Sequence, residues 1–309
     1  MALAQQAPLL GISQAKYGIS RQMSAESPPL TVYEPTSGWR LLNANELWMF
    51  RELLCFFAWR DIKVRYKQTA LGAVWAILQP FLMMVIFTIF FNRTGGIQSG
   101  STPYPVFVYS GLVVWQLFAS SLASASNSVV GNGAIITKVY FPRLIVPISA
   151  MGTAVIDFMV ACGMLVALMF WYGILPGWQL LFLPLPLAMC MATAVGFGCL
   201  ISALNVSYRD FRYTVPFIIQ IWLFATPTIY LSLETNRASA GYSGVYEFLK
   251  LLIIYCNPMT AIVSTFRSAV LGQPFPGTMM VTAAVTAIVT LLVGLAVFRR
   301  FEARFADIV

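Results

Sequence analysis

EFLKLLIIYCNPMTAIVSTFRSAVLG, residues 247–272, is the stretch on which the count of membrane crossings turns. It is apolar along most of its length, yet Lys250 and Arg267 charge it and Asn257-Pro258 breaks it in the middle. Proline has no backbone N–H and its ring collides with the preceding turn, so a helix stops or kinks there. Each half is then too short to cross a hydrocarbon core, which takes roughly 20 residues. Irregular backbone at membrane depth is tolerated only under a cover of protein or water. Residues 247–271 therefore read as a re-entrant helical hairpin, not a crossing.

Working outward, the rest of the chain has the composition of a membrane protein. Of 309 residues, 59% are hydrophobic and 10% charged, against about 25% charged in an ordinary soluble domain. No charged residue falls between Lys67 and Arg93, Arg93 and Lys138, Asp157 and Arg209, Arg212 and Glu234, or Arg267 and Arg299. The expectation is an all-α integral membrane protein with six transmembrane helices, at about residues 70–91, 106–126, 144–172, 180–204, 213–231 and 278–298. Ala192, Gly196 and Gly198 in the fourth suggest close helix packing. Residues 1–45, rich in Gln, Ser, Pro and Gly, read as a flexible cytoplasmic extension. The segment ELWMFRELLCFFAW from Glu46 to Trp59 is too short and too charged to span, and reads as an amphipathic interface helix at about 46–60. Residues 46–305 form the membrane domain, and 299–309 are a short cytoplasmic tail.

Charge fixes the orientation. With six spans and a hairpin that does not cross, both termini share one side, which collects fifteen of the 19 Lys and Arg. Only Arg93, Arg237, Lys250 and Arg267 fall opposite. Basic residues mark the cytoplasmic side, so both termini are expected there. Were the hairpin to cross once, Arg299, Arg300 and Arg304 would lie opposite the basic N-terminal segment.

Several functions are excluded by what is missing. There is no histidine, which removes the commonest general base and zinc ligand, and no close pair of acids lies within a span. No G-x-x-x-x-G-K-[ST] loop is present for holding nucleotide phosphates. Cys55, Cys162, Cys190, Cys199 and Cys256 make no CxxC pair, and three of them fall in apolar runs, where Cys behaves as a small hydrophobe. The net charge of +8 is spread in short segments beside apolar stretches, which suits anionic lipid and not nucleic acid.

Short motifs add a resemblance. RDIKVRYKQTALGAVWAILQP, from Arg60 to Pro80, resembles the start of the membrane subunit of ABC-2-type polysaccharide exporters, the family that moves O-antigen, capsule and teichoic acid chains. The likeness recurs at Lys138-Val139-Tyr140-Phe141-Pro142-Arg143 with Pro147, at Asn205-Val206 with Tyr208-Arg209-Asp210, at Thr226-Pro227 with Tyr230, and at Asn257-Pro258-Met259 with Arg267. It covers roughly residues 46–305.

The resemblance implies a transport subunit and not an enzyme: half of a pore completed by a second copy of the chain. Two copies of a nucleotide-binding ATPase subunit would carry ATP and Mg, and this chain itself would bind no cofactor. The loop from Gly131 to Arg143 would hold a coupling helix, offering Lys138, Tyr140, Phe141, Pro142 and Arg143 to the ATPase, with Arg209 and Asp210 either a second contact or a surface salt bridge. Arg60, Lys63, Arg65 and Lys67 could draw in the diphosphate of a lipid-linked polysaccharide, or simply anchor to lipid headgroups. Trp75, Phe81, Trp115, Trp222 and Phe224 lie deep enough to line a channel or to pack against lipid. Asn257, Pro258 and Arg267 would belong to an outer gate. The location implied is the bacterial inner membrane.

Asp157 stands apart as the single ionisable residue inside an expected span, a costly placement. It is either a packing and hydrogen-bonding residue or the carrier of a proton-coupled secondary transporter. An ABC-2-type exporter of small drugs or lipids is the nearest rival reading. A membrane-bound transferase would need a catalytic acid or histidine at the membrane surface, and only scattered acids are present.

Overall fold

The structure, a computed structural model, describes residues 44–67, 72–93, 102–208, 210–226, 228, 257–275, 277–302 and 305. Among these residues every regular element is helical. They are α1 (Ala44–Met49), α2 (Arg51–Lys67), α3 (Gly72–Arg93), α4 (Tyr104–Gly131), α5 (Gly133–Ile136), α6 (Ile145–Ala150), α7 (Gly152–Trp171), a 3-10 turn at Trp178–Phe182, α8 (Pro184–Ser207), α9 (Phe211–Ala225), α10 (Pro258–Leu271) and α11 (Gly277–Glu302).

Among the described residues four stretches are long and apolar enough to cross a membrane: Tyr104–Gly131, Ile145–Trp171, Trp178–Ser207 and Gly277–Glu302. Val74–Phe90 and Phe211–Ala225 are shorter apolar helices. Many of their hydroxyls are satisfied within their own helices, Thr88, Ser121 and Ser202 being buried without a hydrogen-bond partner among the described residues. Ser110, Ser126 and Ser128 donate to carbonyls three residues back, and Thr193, Thr265, Thr286 and Thr290 to carbonyls four back. Such back-bonding lets Ser and Thr sit in an apolar helix without an unpaired polar group.

α4 is the centre of the bundle, with α3, α7, α8 and α10 packed around it. α8 meets α11 at backbone distance, because a side chain at Gly294 would overlap the Gly196 carbonyl and one at Gly196 the Thr290 carbonyl. Gly198 makes similar room for Ala125 of α4, whose Cβ would lie 2.7 Å from an added methyl. Where α6 gives way to α7, α2 crosses at Gly152, so that a methyl there would sit 3.1 Å from the Ala58 Cβ.

Two boundaries differ from the sequence reading for identifiable reasons. The interface helix was expected to end near residue 60, but α2 continues to Lys67. Nothing between Arg51 and Lys67 is Gly or Pro, and Arg, Leu and Lys are good helix formers. The fifth span was expected to reach 231, but α9 ends at Ala225 with Thr226 extended at φ −104°, ψ 131°. Thr226 precedes Pro227, whose ring drives the residue before it out of the helical region. The first half of the expected hairpin, 247–256, and the extension before Ala44 lie outside the described residues.

Candidate functional site

The basic helix α2 distributes its cations among distinct partners. Arg60 donates to Asp61 Oδ1 at 2.7 Å and to Asn132 Oδ1 at 2.8 Å, with its guanidinium 5.0 Å over the Phe57 ring. Lys63 sits 5.5 Å over Trp59. Arg60, Lys63 and Lys67 line one open groove of about 340 Å³ with Phe56, Trp59 and Val64, an apolar floor edged by three cations. Arg65 is not on that groove. Its guanidinium makes a 2.6 Å ion pair with Asp157 Oδ2 on α7, and Tyr66 donates to Asp157 Oδ1. Burial first, and then the bond to Asp157, push the Tyr66 hydroxyl up to about 12. Both oxygens of the one acid inside an expected span are thus engaged by α2.

On its other side α2 borders a wider groove of about 560 Å³, lined by Arg60, Asp61, Arg65 and, from α4, Ser124, Asn127 and Ser128. The two grooves meet at Arg60 and Val64.

The loop that leaves α4 divides the residues grouped as an ATPase contact. Lys138, Val139 and Tyr140 are exposed, Tyr140 to 68%. Phe141 is buried edge-on against Phe57 of α2, centroids 5.7 Å apart. Pro142 is half-buried, and the Arg143 backbone N–H donates to Glu302 Oε1 at 3.1 Å while its guanidinium donates to the Glu302 carbonyl. Of the two aromatics offered to the ATPase, one is therefore an exposed ring and the other an anchor. Asp210 is exposed, and its carbonyl accepts from the Thr214 N–H and hydroxyl at the start of α9. Arg209 lies outside the described residues.

The aromatic residues expected to line a channel also separate. Trp115 and Trp222 pack edge to face at 6.5 Å, and Trp222 meets Phe118 and Phe197 edge to face as well, each at 5.0 Å, forming an internal cluster. Phe81 packs against the core. Trp75 and Phe224 project outward, each 57% exposed on the single chain.

Asn257 caps α10. Its Oδ1 accepts from the Met259 N–H and from Trp222 Nε1, both at 3.0 Å, and its Nδ2 donates to Thr226 Oγ1 at 2.9 Å. Pro258 then takes the first helical turn, where its missing N–H costs nothing, and Gly272 closes the helix at φ 70°. Arg267 is buried. Its Nε donates to the Phe107 carbonyl at 3.2 Å, its guanidinium lies 3.7 Å over the Phe107 ring, and it also donates to the Thr228 carbonyl. Gly111 makes this possible, since a side chain there would overlap the guanidinium.

One cavity joins residues the sequence reading passed over. Gln79 of α3, Gln116 of α4 and Gln220 of α9 line a space of about 360 Å³ with Pro80, Trp115 and Pro216. Of the five aromatics named above, Trp115 alone is on its wall. The signal was available: an uncharged amide in each of three apolar helices.

Comparison with known proteins gives a consistent answer. The family described as ABC-2 type transporter matches residues 52–271. The chain is similar to the O-antigen export system permease protein RfbA of Myxococcus xanthus, 26% identical over 265 residues that cover 85% of this chain and 97% of the relative. It is similar to the RfbA permease of Klebsiella pneumoniae, 28% identical over 258 residues, covering 83% and 95%. Polysialic acid transport protein KpsM of Escherichia coli is 24% identical over 253 residues, covering 79% and 91%.

Proposed function

Because the chain belongs to the ABC-2 type transporter family, we propose that it is the channel-forming permease subunit of an ATP-driven exporter of lipid-linked polysaccharide. The observation that carries this reading is likeness to O-antigen permeases across nearly their whole length. The geometry of α2 supports it. A lipid-linked glycan has an acyl tail, a diphosphate and a hydroxyl-rich polymer. α2 has an aromatic floor, a cationic edge and, beyond Arg60, a groove lined by serine and asparagine.

In this reading α3, α4, α6 with α7, α8, α9 and α11 are the six spans, and α2 lies in the cytoplasmic membrane interface. α10, 14 residues long and about 21 Å at 1.5 Å per residue, forms the returning arm of a re-entrant hairpin. Both termini lie in the cytoplasm of a bacterium in this reading, with the chain in its inner membrane; the distribution of basic residues supports the orientation. A second copy completes the pore. Two copies of a separate ATPase subunit, holding ATP and Mg, dock on Lys138 and Tyr140. Asp157 is the tether of α2 and not the coupling residue of a secondary transporter.

Deletion tests the reading. Surface polysaccharide disappears and its lipid-linked precursor accumulates inside; an unchanged surface would sink it, and loss of drug or lipid efflux alone would move the substrate class.

A further inference from the structure

Gln79, Gln116 and Gln220 converge from three different helices on one cavity. We propose that this amide cluster is a hydrogen-bonding station for the hydroxyl groups of the glycan in transit, an inference that rests on the export reading above.

The argument starts from solvation. α3 and α9 are apolar helices, and Gln79 and Gln220 are exposed on the single chain. A carboxamide turned into hydrocarbon loses its hydrogen bonds with nothing in exchange. Three of them on one wall suit water or hydroxyls, not acyl chains. Their own bonding leaves capacity to spare. Gln116 donates to Ser120 at 3.1 Å and to Gln79 at 3.4 Å, and Gln220 makes no hydrogen bond among the described residues.

The ligand class follows from what the wall offers. Each carboxamide has two donors and an acceptor, and a sugar hydroxyl is donor and acceptor together. Among the described residues no charged side chain lines the cavity, so a polymer would be held by many weak neutral bonds that exchange as it slides. An anionic head would be held elsewhere, at Arg60.

The cavity is also connected. Along α4, Gln116, Ser120, Ser124 and Ser128 recur every four residues, each the surface neighbour of the next as the row winds slowly around the helix. The first pair lines the amide cavity and the second the groove beside Arg60. From Gln116 to Ser128 this rail is about 18 Å long. It gives the polymer a polar path from α2 into the interior on one helix.

The test uses the full chain with its ATPase partner, in cells lacking their own copy. Gln79, Gln116 and Gln220 are changed to Leu, singly and together, and surface glycan is quantified at matched membrane levels and matched melting temperature in detergent. The expected loss is about fivefold per amide. A triple variant exporting at the parent rate overturns the proposal. If that variant fails to accumulate, Gln220→Cys is treated with a water-soluble maleimide, over the background of the parent chain. Labelling with glycan synthesis blocked, and protection when synthesis runs, supports the station; no labelling, or equal labelling in both states, overturns it. A deletion that leaves surface glycan intact instead overturns the export reading beneath it.

Discussion

Arg65 of α2 and Asp157 of α7 form an ion pair of 2.6 Å, and Tyr66, the next residue on α2, donates to the other oxygen of the same carboxylate. A single acid in an otherwise uncharged span thereby fastens the basic helix to the bundle. The arrangement also explains how the acid is tolerated: Asp157 is buried, but its partner's side chain is 44% exposed and keeps much of its hydration. Breaking a fully buried pair costs several kcal/mol. Here Asp157→Asn is expected to cost about 1–2 kcal/mol, since the half-exposed arginine is rescued by water. Melting in detergent should fall while export continues. Export abolished at unchanged melting temperature would instead mark Asp157 as a proton carrier.

Tyr66 adds a pH dependence with a definite sign. Its hydroxyl ionises near 10 in an unfolded chain and is pushed up to about 12 here, by burial and then by Asp157. A raised folded value means stability is complete below the unfolded value and is lost as pH climbs from there through the folded one. The melting temperature of the parent should therefore drop more steeply between pH 10 and 12 than that of Tyr66→Phe. Parallel curves would show that the hydroxyl contributes nothing.

The cations of α2 divide between the open groove and Asp157. Lys63 and Lys67 edge the groove and contact no acid among the described residues, so Lys63→Gln with Lys67→Gln should lower export and leave melting where it was. Arg65→Gln should do the reverse, lowering melting first. If all three behaved alike, the groove would have no special claim on the substrate's diphosphate.

Much of this was legible in the sequence, and the failures are instructive. Charge-free gaps located the apolar helices because an unpaired charge in hydrocarbon is so costly that its absence is a signal. The stop at Ala225 is marked by Thr226-Pro227, yet the fifth span was expected to run on to 231. What could not be read was pairing across the fold. Arg65 looks like its neighbours Lys63 and Lys67 until α7 brings Asp157 against it, 92 positions along the chain. Phe141 and Tyr140 are adjacent aromatics, and only the crossing of α2 decides that one is an anchor. The glutamines were missed for a different reason: attention to charge and aromaticity passed over neutral amides whose meaning lies in three of them meeting.

Those adjacent aromatics give opposite expectations. Phe141→Ala empties a buried site against Phe57, a change that costs about 3–5 kcal/mol in a packed core, and should show as poor accumulation or early melting. Lys138→Ala with Tyr140→Ala removes exposed groups and should leave melting unchanged, yet reduce co-purification with the ATPase and export. Normal ATPase recovery with the double variant would put the docking surface elsewhere.

Asn257 provides the last test, because one side chain there serves two helices. Its carbonyl oxygen caps α10 through the Met259 N–H and holds Trp222 of α9, while its amide nitrogen donates to Thr226 at the end of α9. Loss of a capping side chain alone costs about 1 kcal/mol. Asn257→Ser can retain the cap but is too short to keep all of these bonds, whereas Asn257→Ala removes cap and clamp together. If α10 gates the pore as a unit moved by α9, both variants should leak, passing small solutes that the parent excludes, and Ala should destabilise more than Ser. Were Ser to melt earlier yet stay tight while only Ala leaked, the cap of α10 and not its tie to Trp222 would be what keeps the gate shut.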